Sequence, residues 1–538
     1  MTTSQRSDYG RNTKAKFRAI LSAALLVAVS TFSHPSDAAP IVYSAFPGEP
    51  ASTAFSSVTV SGVSVGVRRF FTAGNPAISY SRFAMPHTAH TVVITASRTV
   101  STCTVKPASY GITTTKSGST CTFILSAPRK LRVFINNLEA LYIFADSPEA
   151  GAPQLGQPYV YDVTTWAGVD NSGVGNSTTG VQAAIDAVSS YNNVNSVLYF
   201  KNGKYRVGGL RMKNKVKLYL KSGAVISGTT AAGDYAIDAE GQRALILFNG
   251  VSTAAIQGRG VIHGDGMAYR VVNCPSNTRH ACWDAPNHAT APAGIRVLNS
   301  SGITVKDVYM MDPGWWTNFI HSSNNVTYDG VKIITEKAVF NGDGVDVDSS
   351  TNVTVKNVFV HNGDDAFCVK TKDLLGIKGP SNNVRFENNV IGYSLRAAKI
   401  GTETVAGGNM TNITFKNFES VQLAQHNAII TVQDGNTVDG VTFDSLKVDS
   451  GKKPFILEIK KRNASSSVGL IRNVWLKNLS VPAVTENSPI NGYDSAHKIK
   501  TVTICNFKKG GVVKTTLGTA GIVPNTFTTG VTISGTCP

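Results

Sequence analysis

Carboxylates crowd one short stretch of a chain in which only 16% of the residues are charged. The stretch FNGDGVDVDSSTNVTVKNVFVHNGDDAFCVKT spans residues 340–371 and holds five aspartates: Asp343, Asp346, Asp348, Asp364 and Asp365. Carboxylates held close together repel one another, so at least one of them should have a raised pKa. A protonated carboxyl beside ionised ones supplies the acid and the base that cleavage of a glycosidic bond needs.

Turn formation and calcium binding are the alternatives to catalysis for these aspartates. Aspartate is common in turns, and NGDGVDVD resembles a calcium-binding loop. The stretch lacks the later acidic ligand that such a loop needs. A catalytic role requires that the fold bring Asp343 close to Asp364, which follows it by 21 residues.

The second half of the chain repeats one short motif. Its β-branched residues alternate with polar ones, and the copies recur every 23 to 33 residues. The copies are GITVKDV (302–308), NVTYDGV (325–331), NVTVKNV (352–358), NVRFENN (383–389), NITFKNF (412–418), GVTFDSL (440–446) and NVWLKNL (473–479). Such a repeat buries its apolar face only by stacking on its neighbours, which predicts a right-handed parallel β-helix with one coil per repeat.

In a β-helix, residues one coil apart lie about 4.8 Å from each other. The separation of Asp343 and Asp364 is close to one short coil, so we expect them to lie directly above one another. Asp365 should then face the same groove. The segment 176–191 has apolar residues at helical spacing and is expected to cap the open end of the β-helix.

The predicted fold class is all-β, with an N-terminal β-sandwich followed by the right-handed parallel β-helix. Short alternating runs broken by Gly, Pro, Ser and Asn predict the sandwich over residues 40–155. The β-helix is expected over residues 156–538.

A basic start, an apolar run and the small residues of SDAAP predict a secretory signal peptide over residues 1–38. Its removal would lower the formal charge from +17 to about +14. Attraction to an acidic polysaccharide and a scattered basic surface both fit this charge. No later apolar run has the length of a membrane-spanning helix, so we expect a secreted protein.

Seven cysteines fit an oxidising compartment. Proximity along the chain suggests three pairs and leaves Cys368 as a buried thiol. The pairs are Cys103 with Cys121, Cys274 with Cys282, and Cys505 with Cys537.

Several motifs resemble those of the polygalacturonase family of glycoside hydrolases. NGDG (341–344) and HNGDDAFCVK (361–370) resemble its Asn-x-Asp and Gly-Asp-Asp motifs, and GRGVIHGDG (258–266) is similar to its Gly-rich turn. The sister family of dextranases and isopullulanases places a β-sandwich before its β-helix. Residues 100–147 are similar to the end of that sandwich, and residues 197–228 are similar to the entry into the β-helix. The resemblance covers most of the mature chain and implies a pectin-lyase-like β-helix.

The resemblance also implies an inverting hydrolase that works by a single displacement. Asp364 would be the general acid, and Asp343 with Asp365 would hold and activate the water. Asn341 would hydrogen-bond near the acid, and Asp346 is expected to line the substrate groove.

The chain departs from the family at two places. Arg396 stands where the family has the His of a Gly-His-Gly motif, and NAIITVQ (427–433) lacks the Arg-Ile-Lys that binds a uronate carboxylate. This favours a neutral α-glucan substrate, as in dextranases and isopullulanases. The alternative is a polygalacturonase-like pectin hydrolase in which Arg396 and Lys399 bind the uronate differently.

Further residues are assigned to the substrate groove. Trp315 and Trp316 are adjacent, so on a strand one would fill the core and the other could stack on a sugar ring. The charged candidates, which could equally form plain ion pairs, are Lys370, Arg396, Lys399 and Glu403.

Two other classes of protein fit a β-helix. A polysaccharide lyase would need Arg396 or Lys399 to abstract a proton, with the aspartates as metal ligands. A non-catalytic glycan-binding protein would not need the aspartates. For the hydrolase we expect a polysaccharide as partner and a monomeric chain, with no cofactor, metal, nucleic acid or membrane span.

Overall fold

The computed structural model describes residues 39–70, 77–273, 291–337 and 341–538. The predicted signal peptide and the cysteine pair at 274 and 282 lie outside these residues. In the described part of the chain, no helix has the length and apolar character needed to cross a membrane.

Two sheets face each other in the N-terminal part of the chain. Their strands, within the described residues, are β1 (Ile41–Val42), β2 (Phe55–Val60), β3 (Val63–Val65), β4 (Val67–Phe70), β5 (Ile78–Ala84), β6 (His90–Ala96), β7 (Cys103–Lys106), β8 (Thr115–Ser117), β9 (Thr120–Leu125), β10 (Arg129–Ile135) and β11 (Ala140–Asp146). One sheet has the order β1-β5-β11-β10-β7, with β4 on β5, and the other has the order β3-β2-β6-β9-β8. The pairs are antiparallel as predicted, apart from the parallel pair β5 and β11.

The rest of the chain coils into stacked parallel strands. These are β12 (Val160–Asp162), β13 (Ser172–Asn176), β14 (Val197–Phe200), β15 (Gly203–Val207), β16 (Leu210–Arg211), β17 (Lys217–Leu220), β18 (Ala224–Gly228), β19 (Ala244–Asn249), β20 (Ser252–Gly258), β21 (Val261–His263), β22 (Ala293–Leu298), β23 (Ser301–Lys306), β24 (Tyr309–Met311), β25 (Asn318–His321), β26 (Asn324–Asp329), β27 (Lys332–Ile334), β28 (Val345–Asp348), β29 (Thr351–Lys356), β30 (Phe359–His361), β31 (Asp365–Thr371), β32 (Ser381–Glu387), β33 (Val390–Tyr393), β34 (Arg396–Thr404), β35 (Met410–Gln422), β36 (His426–Val432), β37 (Thr437–Ser450), β38 (Lys453–Ile459), β39 (Leu470–Lys477), β40 (Ser480–Val481), β41 (Ser488–Asn491), β42 (Ile499–Cys505), β43 (Phe507–Lys509), β44 (Val512–Lys514), β45 (Ile522–Pro524) and β46 (Thr528–Ser534). The helices are α1 (Thr178–Ser190), α2 (Gly266–Asn273) and α3 (Leu517–Ala520).

Each coil contributes strands to a long sheet and to a shorter one. The shorter sheet has the order β16-β19-β22-β25-β28-β31-β34-β36-β38-β41-β45. The seven copies of the repeat lie on β23, β26, β29, β32, β35, β37 and β39, which stack consecutively in the long sheet. This confirms the predicted parallel β-helix. Its right-handed coiling is the hand that crossovers between parallel strands take.

Apolar side chains from every coil meet in one continuous interior core. Val181, Ile185 and Val188 of α1 join this core at its first coils, so the helix covers the open end as predicted. Disulfides join Cys103 to Cys121 and Cys505 to Cys537, which confirms both pairings, and Cys368 is a buried free thiol.

The sandwich packs on the face of the β-helix formed by β18, β21, β24, β27, β30 and β33. The contact is aromatic at its centre. Phe359 of β30 makes edge-to-face contacts with Tyr142 and Phe144 of β11, each with ring centroids 4.9 Å apart. Such pairs each contribute about 0.5–1.5 kcal/mol beyond the area they bury.

A buried ion pair joins the two parts beside these rings. The Asp146 carboxylate, at the end of β11, lies 2.7 Å from the Lys332 ammonium of β27 and 3.6 Å from the Arg259 guanidinium. Tyr309 donates a hydrogen bond of 3.1 Å to the same carboxylate. Burial would raise the pKa of Asp146, but the two cations lower it below its ordinary value.

Replacing Asp146 with alanine tests this ion pair. The fully buried Lys332 ammonium would lose its nearest carboxylate, so the free energy of unfolding should fall by about 3–5 kcal/mol. Urea denaturation followed by circular dichroism measures this change. Asp186→Ala is the matched control, because it breaks an exposed pair with Lys213 that should be worth at most about 1 kcal/mol. Equal losses in the two variants would contradict a stabilising role for Asp146.

Candidate active site

The aspartate stretch spans two neighbouring coils of the short sheet. Val345 of β28 pairs with Phe367 of β31, and Asp365 of β31 pairs with Arg396 of β34. Val345 and Phe367 point into the core, so the side chains that alternate with them face outward. This brings acidic residues of two coils together with basic residues of the next coil.

The register differs from the predicted one by a single residue. Val345 pairs with a residue 22 positions later, and the Gly344 amide donates to the Asp365 carbonyl oxygen at 2.9 Å. Asp343 therefore lies opposite Asp365, and the prediction that it lies directly above Asp364 is wrong. Asp364 is in the bend before β31, where the Ser394 hydroxyl donates to its carbonyl oxygen at 2.6 Å.

Two carboxylates share the Lys370 ammonium. It lies 3.3 Å from the Asp343 carboxylate and 2.9 Å from the Asp346 carboxylate, and all three side chains are buried. The same ammonium lies 3.9 Å from the centroid of the Trp316 ring, within the range of a cation–π contact. Lys370 thus contacts both aspartates and the Trp316 ring.

Two other cations hold the adjacent acids. One nitrogen of the Arg396 guanidinium bridges them, at 2.9 Å from Asp364 Oδ1 and 2.8 Å from Asp365 Oδ1. The Lys399 ammonium lies 2.6 Å from Asp365 Oδ2. The structure therefore places the predicted residues Lys370, Arg396 and Lys399 directly on the acids.

The cluster meets solvent on one side. The Arg396 side chain is 23% exposed and the Asp364 side chain 11%, whereas those of Asp343, Asp346 and Asp365 are at most 4% exposed. A molecule that approaches from solvent would therefore meet Arg396 first, and then Asp364 and Lys399, whose side chain is also 11% exposed.

The adjacent acids have pKa values shifted in opposite directions. Burial, followed by repulsion from Asp365, raises the pKa of Asp364. Burial also acts to raise the pKa of Asp365, but the Lys399 and Arg396 cations outweigh it and hold that pKa below its ordinary value. One acid therefore keeps its proton to higher pH while its neighbour is ionised, which is the division that acid–base catalysis requires.

The acids around Lys370 both have raised pKa values. Burial raises the pKa of Asp346 to about 6. Burial, followed by repulsion from Asp346, raises the pKa of Asp343 well above its ordinary range. The rise predicted from crowding is thus present, although burial is its largest cause. One ammonium does not offset the burial of two carboxylates.

Asn341 and Glu403 border the cluster. The Asn341 backbone amide donates to Asp364 Oδ2 at 3.2 Å, so the main chain makes the contact near the acid. Glu403 is half-buried in β34. Burial acts to raise its pKa, but its own backbone and the nearby Lys370 and Lys372 ammoniums lower it.

Asp346 and Asp348 lie on β28, so they are strand residues rather than turn aspartates. Asp348 is fully buried, and the Lys372 backbone amide donates to its carboxylate at 2.8 Å. His321 Nδ1 lies 3.6 Å from the same carboxylate. Asp348 is thus held by groups on neighbouring coils.

The two tryptophans do not alternate between core and groove. They precede β25 in an irregular segment, and their rings stack with centroids 4.4 Å apart and planes 10° apart. Both are buried. The expectation that one points in and one points out is wrong, because it assumed a strand at this position.

Two supporting residues escaped the sequence-based reasoning. Asn362 donates to the carbonyl oxygens of Gly342 and Asp365, at 3.0 and 2.7 Å, and so ties the two aspartate turns together. Gln425 accepts a hydrogen bond of 2.8 Å from Arg396 Nε and orients the guanidinium. Gln425 follows Arg396 by 29 residues, which is about one coil, and this spacing was the signal that could have identified it.

A known protein family matches the part of the chain that carries this site. Residues 198–420 match the family model of the glycosyl hydrolases family 28. The matched range contains every predicted catalytic aspartate, and it confirms the resemblance to the polygalacturonase clan.

Curated relatives match part of the chain. A polygalacturonase of Ralstonia solanacearum is 22% identical over 300 residues, which are 47% of this chain and 55% of that protein. A probable exopolygalacturonase C of Neosartorya fischeri is 28% identical over 214 residues, which are 38% of this chain and 39% of that protein. The chain thus spans about half the length of the curated relatives it matches.

Solved structures share the fold. An exopolygalacturonase from Thermotoga maritima superposes with a TM-score of 0.52 and 16% identity, over 72% of this chain and 94% of that one. A family 28 exopolygalacturonase from Yersinia enterocolitica has a TM-score of 0.52 and 14% identity, over 84% of this chain and 96% of that one. These likenesses show the pectin-lyase-like β-helix.

Asp346→Asn tests the charge imbalance around Lys370. A carboxyl with a raised pKa stabilises the fold below its unfolded pKa, and this stability is lost as pH rises through the folded pKa of about 6. Between about pH 4 and about pH 7.5, the free energy of unfolding of the variant should therefore gain about 2–3 kcal/mol relative to wild type. Urea denaturation at each pH measures the difference.

Asp365→Asn is the control of opposite sign. The lowered pKa of Asp365 stabilises the fold above the unfolded pKa, and this stability is lost as pH falls. The free energy of unfolding of Asp365→Asn should therefore fall relative to wild type as pH rises. A difference that stays constant with pH for Asp346→Asn would contradict the raised pKa.

Proposed function

We propose that this protein is a hydrolase of O-glycosyl bonds that cleaves an acidic, galacturonate-containing polysaccharide. The observation that carries the proposal is the adjacent pair Asp364 and Asp365, whose pKa values are shifted in opposite directions within the range matched by family 28. The pair supplies an acid and a base at one place, as hydrolysis of a glycosidic bond needs.

In the proposed reaction, each acid of the site has one role. Asp364 gives its proton to the glycosidic oxygen as the bond from the anomeric carbon to that oxygen breaks. Asp365 accepts a proton from the water that attacks the anomeric carbon from the opposite face. Asp343, which retains a proton because of its raised pKa, donates a hydrogen bond that holds this water. The single displacement inverts the anomeric configuration.

An acidic substrate fits the cations of the site. The expected preference for a neutral α-glucan is not supported, since the relatives reported above are named polygalacturonases or exopolygalacturonases. The family has a carboxylate-binding residue at the position of Ile429. In this chain Ile429 pairs in register with Lys399, so the coil before it supplies the cation. Arg396 is the most exposed cation of the cluster, and its planar guanidinium suits a carboxylate.

Substrate binding should also rearrange Arg396. In the free protein one guanidinium nitrogen contacts both Asp364 and Asp365, so their nearest oxygens are closer than the roughly 6.5–9.5 Å that inversion needs. A uronate carboxylate that takes over Arg396 would free the two acids and open space for water. Loss of the cation would raise the pKa of Asp364 further and make it a better proton donor at neutral pH.

A lyase is less consistent with the same geometry. Elimination would require Arg396 or Lys399 to accept a proton. Although burial acts to lower both pKa values, their ion pairs with Asp365 raise both above the ordinary values. Cations held in this way are poor bases, whereas an ionised Asp365 beside a protonated Asp364 favours hydrolysis.

Export is part of the proposal. The disulfides Cys103–Cys121 and Cys505–Cys537 fit an oxidising compartment, as does the predicted signal peptide. A secreted hydrolase would meet its polysaccharide outside the cell.

Asp364→Asn tests the assignment of the acid. Wild type should release reducing ends from polygalacturonate and not from dextran or pullulan, and the variant should lose about 10²-fold or more in turnover, because the amide has no proton to donate. Nuclear magnetic resonance of fresh product should show an inverted anomeric centre. The matched control is Asp373→Asn, an aspartate that pairs with Lys378 away from the site and should keep full activity. Products that absorb as unsaturated uronides, or full activity in Asp364→Asn, would refute the proposal.

Arg396→Gln tests the role of the guanidinium. Removing the cation should raise the pKa values of Asp364 and Asp365, so both limbs of the bell-shaped profile of kcat/KM should move to higher pH. The preference for polygalacturonate over its carboxyl-reduced form should fall by about tenfold or more, mainly through KM. Arg396→Lys should recover part of both effects. An unchanged profile together with an unchanged preference would show that Arg396 only forms a structural ion pair.

A further inference from the structure

A second polar depression lies along the junction between the sandwich and the β-helix. We call it the seam cleft, and its defining residues are Arg129, Lys130, Lys306, Asp307, Asn357 and Asn388. It consists of two adjoining spaces of about 470 and 390 Å³, which are both lined by Pro128, Arg129, Lys130 and Asn357. Together they are large enough for several sugar rings.

The carboxylates that line the seam cleft already have polar partners. Asp307 lies 2.9 Å from the Arg259 guanidinium, and Asp329 lies 3.6 Å from the Lys356 ammonium. Glu149 accepts a hydrogen bond of 3.0 Å from the Tyr219 hydroxyl. Asp146 and Glu419, which also line the cleft, are paired with Lys332 and Lys447. Each of these acids except Glu149 therefore has a cation nearer to it than Arg129, Lys130 or Lys306.

Three cations of the cleft have no such partner. In the part of the chain that the structure describes, no carboxylate lies within 4.0 Å of the charged groups of Arg129, Lys130 or Lys306. Arg129 and Lys306 are exposed, and Lys130 is half-buried. Among these described residues, three unpaired cations thus face Glu149, the lining acid without a paired cation, and the remaining charge is positive.

Lys130 is the most buried of these three cations. Burial, followed by repulsion from Lys332, lowers its pKa to about 8. Asp146, Asp307 and Asp329 attract this ammonium but do not offset its burial, so an anion bound in the cleft would stabilise its charged form. An acidic ligand should therefore stabilise the charge of Lys130.

Amide side chains line the other wall. Asn357, Asn388 and Asn417 follow one another at the same corner of successive coils, about 4.8 Å apart. Asn357 donates to Asp329 at 2.8 Å and Asn417 donates to Asn388 at 3.0 Å, which fixes the amides in a row. Each amide has further hydrogen-bonding capacity, which suits the hydroxyls of an extended sugar chain.

The seam cleft and the aspartate cluster lie at opposite edges of the strand face that the sandwich covers. Asn357 precedes β30, whereas Asp364 follows it. The three residues of β30 span roughly 10 Å, and Phe359 at their start is buried under Tyr142 and Phe144. The two sites therefore do not form one groove.

We propose that the seam cleft is a second, non-catalytic binding site for an acidic oligosaccharide. Arg129, Lys130 and Lys306 contact its carboxylates, and the asparagine row contacts its hydroxyls. The choice of a uronate chain rests on the proposed function, but binding in the cleft requires no hydrolysis. Such a site would hold an acidic polymer on the enzyme while a different segment occupies the active site.

Titration calorimetry with a galacturonate hexamer tests the site in the full chain carrying Asp364→Asn. Two binding sites are expected per chain. The triple variant Arg129→Ala, Lys130→Ala and Lys306→Ala should weaken one of them about tenfold or more, and added salt should weaken the same site in the parent protein. The matched control removes three exposed cations elsewhere, by Arg98→Ala, Lys452→Ala and Lys500→Ala, and should retain both sites.

The outcomes separate this proposal from the proposed function. Two sites in the parent and one in the triple variant support the seam cleft, even if wild type fails to hydrolyse polygalacturonate. Identical binding by the triple variant and the control overturns it, as does equally tight binding of inorganic sulfate, of a malto-hexamer or of a nucleic-acid oligomer to the cleft. If the triple variant does not fold, the exposed single change Lys306→Ala should still weaken the same site, and unchanged binding there overturns the proposal.

Discussion

Four buried aspartates repel one another, and the fold holds them together because cations from neighbouring coils lie between them. Lys370 contacts both Asp343 and Asp346, while Arg396 and Lys399 hold the remaining two. Removing one partner of a buried ion pair leaves an uncompensated charge, which typically destabilises a protein by about 3–5 kcal/mol. The stacking of the coils therefore serves the cluster directly, because each coil brings a charge of the opposite sign to the coil beside it.

The cluster contains more acids than cations, and this imbalance has a chemical consequence. A buried carboxyl without a full counter-charge keeps its proton to higher pH than usual, as the raised pKa values of Asp343, Asp346 and Asp364 indicate. Asp365 has a cation at each of its two oxygens and is ionised instead. The shortage of cations in the cluster thus separates an acid from a base.

The sandwich determines which parts of the β-helix remain accessible. Its aromatic residues cover the face that includes β30, and the Tyr142 hydroxyl contacts His361 Nδ1 at 2.6 Å, three residues before Asp364. One edge of the covered face carries the aspartates, and the other edge carries the seam cleft. Because the described part of the sandwich packs along this face, it fixes the relative position of the two edges.

Local patterns in the sequence were sufficient to predict the β-helix, the sandwich, α1 and two disulfides, since alternation, repeat length and proximity are properties of short segments. They also predicted that the aspartates and Lys370, Arg396 and Lys399 share one place. Only the tertiary structure decided that Asp343 lies opposite Asp365, that Arg396 bridges both adjacent acids and that the two tryptophans stack. Register is the physical reason for the contacts of the aspartates, because a turn longer by one residue changes which side chains meet across coils without changing the pattern of any strand. The tryptophans stack because they lie in an irregular segment, where side chains do not alternate.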